Sequence, residues 1–290
     1  IVPTDFSDYS LRAAAVAGRL AAAHGASLRL LHAYIDPYVA ANMQLSDRLT
    51  YEIADSDTRE RLETAAKTSM QQFSGQLSAD LKNSGIAPVK YSTKIVEGVP
   101  EDAIVDYGKV TPPLLVVMGT RGAERKAREL IGSVSAEVLD AGRFTVLTVP
   151  EPFRAENLGS PRRVLFFCNL DQTDMLALDT FARLLRPAAG IEVCAVNVDS
   201  RKRFAKAADK SSAESLLSYC REHYPGWIFD GSDIDVADAG EAVARLQSER
   251  AFDLIVVPNR RKSMFSRVFS PGLANKMLFQ ADLPMLVIPV

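Results

Sequence analysis

Three glycines and a hydroxyl carry the clearest chemistry in this chain. Gly119-Thr-Arg-Gly122 follows the apolar run Leu114-Leu-Val-Val-Met118, and nine residues later comes Gly132-Ser133. A buried strand therefore ends in a turn with two glycines, and a third glycine with a hydroxyl opens the next helix. That arrangement suits a phosphate. Glycine lets backbone N–H groups approach an anion with no Cβ in the way. A helix start adds N–H groups without intrahelical partners and the positive end of the helix dipole. The spacing is neither G-x-x-x-x-G-K-[ST] nor G-x-G-x-x-G, which excludes the Walker loop and the dinucleotide fingerprint.

The elements around this motif alternate. A strand ends near Pro3. A helix capped by Ser7 follows, with Leu11, Ala14, Ala17, Leu20 and Ala21 on one face, and stops at Gly25. Strand two is Ser27–Ala33. A helix over about 57–83 places Leu62, Ala66, Met70, Phe73, Leu77 and Leu81 at helical spacing. Strand three is about 89–96. Pro100 suits the first turn of a helix over about 101–108. Strand four is Leu114–Met118, a helix runs from Gly132 or Ser133 to about Ala141, and strand five is Thr145–Val149. Such alternation argues for an α/β fold with a parallel sheet covered on both faces.

The chain also repeats. Leu115–Pro150 aligns without gaps onto Leu254–Pro289 at an offset of 139, pairing Leu115 with Leu254, Arg128 with Arg267, Leu147 with Leu286 and Pro150 with Pro289. The front ends match as well, Ile1-Val-Pro-Thr-Asp against Leu165-Phe-Phe-Cys-Asn. The expectation is two tandem, doubly wound, five-stranded, Rossmann-like domains, over residues 1–152 and 161–290, joined by the polar segment 151–161 with its prolines and glycine. The chain opens inside a strand-like run, Ile1-Val2-Pro3, which reads as the remainder of a longer first strand.

Composition narrows the classes. Apolar residues at 47% and charged residues at 24% fit a soluble globular protein of about two domains. A net charge of −2 gives no general reason to bind nucleic acid or an anionic membrane. No apolar run reaches the roughly 18 residues needed to span a bilayer, and no signal-peptide pattern is present. Cys168, Cys194 and Cys220 are too few and too scattered for a disulfide framework or zinc site. They read as small buried hydrophobes in a reducing cytoplasm. His24, His32 and His223 form no i,i+4 pair. His32, at the end of strand two, reads as structural rather than as a general base.

In an open α/β sheet, ligands sit beyond the carboxyl ends of the strands, where the strand order reverses. In the order 3-2-1-4-5, strands one and four flank that point. Asp5 can accept hydrogen bonds from ribose hydroxyls or an adenine amino group. The backbone of Ala33 can face an adenine edge. Gly119 and Gly122 let the chain curl round phosphates, while Gly132 and Ser133 supply a helix start and a hydroxyl. Arg121 adds charge. Arg125 and Lys126 read as solvated surface.

These features together resemble the universal stress proteins of the ATP-binding subgroup. The resemblance rests on Pro3-Thr-Asp-Phe-Ser7, Leu30-Leu-His32 and the G-x2-G-x9-G-[ST] motif, and it covers the chain as two copies. It implies an adenine nucleotide between strands one and four, and leaves open whether Mg2+ accompanies a triphosphate. It assigns Pro3, Thr4, Asp5 and Ala33 to adenosine, and Gly119, Arg121, Gly122, Gly132, Ser133, Val134 and Ser135 to the phosphates. It also implies pairing of fifth strands, which in this chain are Thr145–Val149 and Met285–Ile288. The result would be an internal pseudo-dimer, with further homodimerisation left open. The implied role is a cytoplasmic, nucleotide-dependent stress regulator with an unidentified protein partner. No His, Glu or metal cluster accompanies the motif, so slow ATP hydrolysis or autophosphorylation is the alternative from the enzyme class. A purely structural module without nucleotide is the third.

The second copy departs from the pattern. Pro258 stands at the place of Gly119, Arg261 at Gly122, Pro271-Gly272 at Gly132-Ser133, and Asn169 at Asp5. Proline has no N–H, so two candidate phosphate donors are lost. Arg260, Arg261, Lys262 and Arg267 read as a solvated basic loop. Calorimetric titration with ATP is therefore expected to saturate near one nucleotide per chain. A stoichiometry near two would show that the prolines do not disable the second site.

Overall fold

The computed structural model describes residues 1–35, 56–120, 132–151, 153, 161–168, 170–186, 189–197, 210–233, 239–259 and 283–290. Within them the N-terminal half reads β1 (Val2–Pro3), α1 (Asp8–His24), β2 (Leu28–Tyr34), α2 (Ser56–Asn83), β3 (Tyr91–Glu97), α3 (Pro100–Val110), β4 (Val116–Gly119), α4 (Ser133–Ala141) and β5 (Val146–Val149). The C-terminal half reads β6 (Arg163–Cys168), α5 (Gln172–Leu185), β7 (Glu192–Asn197), α6 (Lys210–His223), β8 (Ile228–Asp233), α7 (Ala239–Arg250), β9 (Leu254–Asn259) and β10 (Met285–Pro289). No helix among the described residues is long and apolar enough to cross a membrane.

Local chemistry accounts for the helix ends. Ser7 caps α1 by accepting from Ser10 N, and Gly25 closes it in the left-handed region at φ 61°. The buried face of α1 is Ala13, Ala14, Val16, Ala17 and Ala21, so Leu11 and Leu20 sit at its half-buried margin. Small residues bring α1 close to α2. A Cβ on Gly18 would lie 2.7 Å from the Leu81 side chain. In α2, Ala66, Met70, Phe73, Leu77 and Leu81 are buried at the helical spacing read from the sequence.

Several boundaries differ from the sequence reading. Strand four begins at Val116 rather than Leu114, which is 54% exposed. Pro112 and Pro113 just before it have no N–H for the ladder, whose first bond is Val116 N to Thr145 O. Strand two is Leu28–Tyr34 and strand three Tyr91–Glu97, because the ladder runs from Leu28 opposite Tyr91 to Tyr34 opposite Glu97. His32 therefore lies within its strand, not at its end. Strand five starts at Val146 rather than Thr145. The helix expected over 101–108 takes in Pro100 as its first residue and extends to Val110.

The C-terminal half forms a parallel ladder in the order β8-β7-β6-β9-β10. In the N-terminal half, β3-β2-β1 and β4-β5 are parallel ladders. Two bonds join them, Ile1 N to Leu115 O at 2.8 Å and Val117 N to Ile1 O at 2.9 Å. The repeat holds in register. Val116 opposes Val146 and Leu147 opposes Val117 in one half, while Ile255 opposes Met285 and Leu286 opposes Val256 in the other, each position shifted by 139.

The halves join edge to edge. β5 pairs antiparallel with β10, with Leu286 opposite Leu147, Met285 opposite Thr148 and Val287 opposite Val146. Equivalent leucines face each other, so a pseudo-twofold axis passes between them. Side chains then alternate between two cores that both span the halves. Leu147, Phe166, Val256 and Leu286 enter the core beneath α1, α2, α5 and α6. Val146, Phe167, Val257 and Val287 enter the one beneath α3 and α4. Leu147 and Leu286 are each 0% exposed. Either Leu147→Ala or Leu286→Ala should cost about 2–5 kcal/mol in urea unfolding. A loss below about 1 kcal/mol would mean that the seam is not a packed core.

Candidate functional site

The chain leaves β1 through a bonded turn. Thr4 N donates to Leu31 O at 2.8 Å, continuing the ladder with β2. The buried Thr4 hydroxyl accepts from Phe6 N at 3.0 Å and lies 2.9 Å from Ser10 Oγ, which donates to Ser7 O at 2.9 Å. Because Ser10 donates to Ser7, Thr4 must be the donor to Ser10. The Thr4 side chain is thus committed to holding the turn. Asp5 is exposed at the tip, and its Oδ1 accepts from Ser7 N at 3.1 Å and Ser7 Oγ at 2.5 Å. Phe6 adopts φ 64°, a left-handed conformation that costs a non-glycine residue about 1–2 kcal/mol. Its ring packs on His32 with centroids 4.2 Å apart and edge-on to Phe73 at 6.0 Å.

His32 supports the turn from β2. Its Nδ1 lies 2.8 Å from Thr4 O, where it must donate, since a carbonyl only accepts. Burial lowers the His32 pKa below 6.5, with the Thr4 bond and the Asp5 charge opposing the shift. Ala33, one residue on, is half-buried at the carboxyl end of β2 opposite Val96. Pro3, half-buried, faces Leu31.

The second wall comes from β4 and α4. Gly119 ends β4, and Gly132 N donates to Thr120 O at 2.7 Å, which draws the start of α4 back to that strand end. Ser135, buried, donates its hydroxyl to Gly119 O at 2.8 Å. That side chain is therefore structural, and only its backbone N–H faces the helix start. Ser133 is exposed and Val134 half-buried. Gly132 caps the helix at φ −68° with no side-chain cap bond. Any residue can adopt that φ, so torsion does not require glycine here. The N–H groups of Ser133, Val134 and Ser135 have no backbone acceptor among the described residues outside α4.

The β1–β4 bonds set these two walls side by side. Counting on from Ile1 between Leu115 and Val117, Thr4 and Asp5 leave the sheet level with Gly119 and Thr120. The structure thus brings Pro3, Thr4, Asp5 and Ala33 to the same sheet end as Gly119, Gly132, Ser133, Val134 and Ser135. Arg121 and Gly122 lie outside the described residues, as do Arg125, Lys126, Asn169, Arg260, Arg261, Lys262, Arg267, Pro271 and Gly272. Pro258 is described: it is buried in β9 opposite Ile288, at the position of Gly119. Two supports went unread in the sequence, the Ser10 relay and the Ser135 bond. A serine three residues after a capping serine was the available signal for the first.

The universal stress protein family model matches residues 1–150, just over half of the 290-residue chain. The chain belongs to that family. It is 31% identical over 153 residues to a universal stress protein of Methanocaldococcus jannaschii, a match spanning 52% of this chain and 81% of that one. A universal stress protein of Thermus aquaticus is 31% identical over 145 residues, spanning 50% of this chain and 93% of its own. The crystal structure of a universal stress protein from Archaeoglobus fulgidus superposes with a TM-score of 0.65 at 16% identity, covering 99% of this chain and 94% of that one. That likeness extends the shared fold over both halves of this universal stress protein.

The His32 contact has a pH signature. Because burial lowers the folded pKa, the unfolded chain takes up a proton first as pH falls. Stability present above pH 6.5 is therefore lost as pH drops through the window just below it. His32→Asn keeps a donor and installs the residue found at the equivalent position, Asn197. Its stability should fall less steeply in that window when unfolding is followed by urea titration at several pH values. Parallel slopes for the two proteins would rule the contact out as a source of pH dependence.

Proposed function

We propose that this universal stress protein binds an adenine nucleotide in its N-terminal half and acts as a cytoplasmic, nucleotide-dependent regulator. The Gly132–Thr120 bond carries the reading. It holds the positive end of α4 at the end of β4, beside the turn that presents Asp5. Adenosine lies against Pro3, Thr4, Asp5 and Ala33. The carboxylate of Asp5 receives ribose hydroxyls, and the backbone of Ala33 meets the base. Phosphates rest on Gly119, Gly122, Gly132 and the N–H groups of Ser133, Val134 and Ser135, with Arg121 adding charge. The Gly132 N–H itself is held by Thr120 O, so glycine there offers close approach and no donor. A Mg2+ ion accompanying a triphosphate would be held chiefly by the phosphates themselves.

Residues 1–152 form the binding domain and 161–290 a degenerate copy. Pro258 supports the second assignment, because it removes an N–H where the first copy has Gly119. The degenerate copy takes the place a second subunit would occupy, so the pair acts as a pseudo-dimer with surface left for a protein partner or a further copy. The alternative from the enzyme class is slow ATP hydrolysis or autophosphorylation, for which a general base would have to be positioned at the phosphate end.

Thermal unfolding with and without ATP tests the reading. Binding to the folded state adds RT ln(1 + [L]/Kd), about 2.7 kcal/mol at a hundredfold excess over Kd. The melting temperature should therefore rise with ATP concentration, and Gly122→Val should abolish the rise. A melt insensitive to ATP, AMP and ADP, in protein whose released ligands contain no nucleotide by mass spectrometry, would favour a purely structural module.

A further inference from the structure

The phosphate-facing helix α4 is anchored at both ends, and one anchor comes from the other half of the chain. At its start, Ser135 Oγ donates to Gly119 O at 2.8 Å. Near its end, Asn259 Nδ2 donates to Leu139 O at 3.3 Å, a buried bond across 120 residues of sequence. Asn259 is the last residue of β9 and only 3% exposed. Its backbone is fixed by the sheet, with Val290 N donating to Asn259 O at 3.1 Å and Pro289 opposite it in the ladder. Leu139 O also accepts from Gly142 N at 3.1 Å at the C-cap. Apolar contacts reinforce the arrangement, since Val134, Val138 and Leu139 of α4 share a core with Val257, Met285 and Val287 of the C-terminal half.

We propose that Asn259 is a positioning residue for the phosphate end of the N-terminal site. The inference rests on the nucleotide reading above. A helix of nine residues is short and rigid, so a constraint on its last turn fixes the direction of its first N–H groups. A phosphate is gripped well only when those groups converge on it. The degenerate half thus contributes to a site that it does not line. The equivalent residue in the first half is Thr120, which is also buried. The side-chain amide of Asn259 is one bond longer than the Thr120 hydroxyl.

The test separates positioning from general stability. Asn259→Leu removes the donor at similar volume, and Asn259→Ser shortens the reach if the leucine variant does not fold. Binding of ATP and of adenosine is measured by competition against a fluorescent adenine nucleotide at 15 °C, with circular dichroism confirming the folded state. Loss of one neutral hydrogen bond should weaken ATP about three- to tenfold. Adenosine, which has no phosphates, should bind as before, so the ratio of the two affinities falls. An unchanged ratio, whether both affinities hold or both drop together, would overturn the positioning role while leaving the nucleotide site intact. Wild-type protein that fails to bind ATP would instead overturn the site itself, and this inference with it.

Discussion

The antiparallel pairing of β5 with β10 is the constraint on which the rest of the molecule depends. Each half alone would end in an exposed apolar edge strand, open to pairing with any other chain. Joining the two edges buries both and leaves β3 and β8 as the outer strands. The outer strands are far more polar. β3 carries Ser92, Thr93, Lys94 and Glu97, and β8 carries Asp230, Ser232 and Asp233. The chain therefore gathers apolar strands around the seam of the seven-stranded sheet and leaves the polar β8 at the end of that sheet and the polar β3 at the end of the three-stranded one.

That seam also sets how the halves communicate. Leu147 and Leu286 meet on the pseudo-twofold axis, and each core draws side chains from both halves. Helix contacts follow the same geometry. His24 Nε2, at the end of α1, lies 2.7 Å from Leu184 O of α5, and Arg186 Nη1 donates to Ala23 O at 3.0 Å. A shift in either half must therefore be absorbed by close-packed contacts with the other, which deform little. The end of β1 and β4 sits two strands from the seam.

Period and caps made most of the fold legible in the sequence. The apolar spacing of Ala66, Met70, Phe73, Leu77 and Leu81 located α2, and Ser7 and Gly25 marked the ends of α1. Strand edges were harder to place, because apolar character does not stop where hydrogen bonding stops. Leu114 is apolar but exposed, since the two prolines before it keep the chain off the ladder. The candidate site was legible as a set of residue types at fixed spacing in the sequence. Its side-chain roles were not, because they depend on which group reaches first. Thr4 and Ser135 look like ligand hydroxyls in the sequence, yet in the structure both are consumed by the backbone they stabilise. The contact from Asn259 to Leu139 crosses between repeats, and no local pattern announces it.

The repeat separates what the fold requires from what a ligand requires. Phe6 and Leu170 occupy equivalent positions and both take left-handed φ, 64° and 54°. Ser7 and Asp171, next in each copy, both cap the following helix. The strained turn persists in the half where prolines stand at the positions of Gly119 and Gly132, so the strain belongs to the strand-to-helix connection. The register of the fourth and fifth strands is likewise shared. Gly119 against Pro258, Gly132 against Pro271 and Asp5 against Asn169 are not shared. Both halves bury the same alternating strands, so burial alone gives no reason for these substitutions. Pro258 removes the N–H of Gly119, whereas Pro271 removes one that in the first half ties Gly132 to Thr120 O and is no phosphate donor, a correction to the sequence expectation of two lost donors. Asn169 replaces the carboxylate with an amide. The differences therefore fall on the chemistry that an anionic, hydroxyl-bearing ligand would need, in a scaffold that both copies retain.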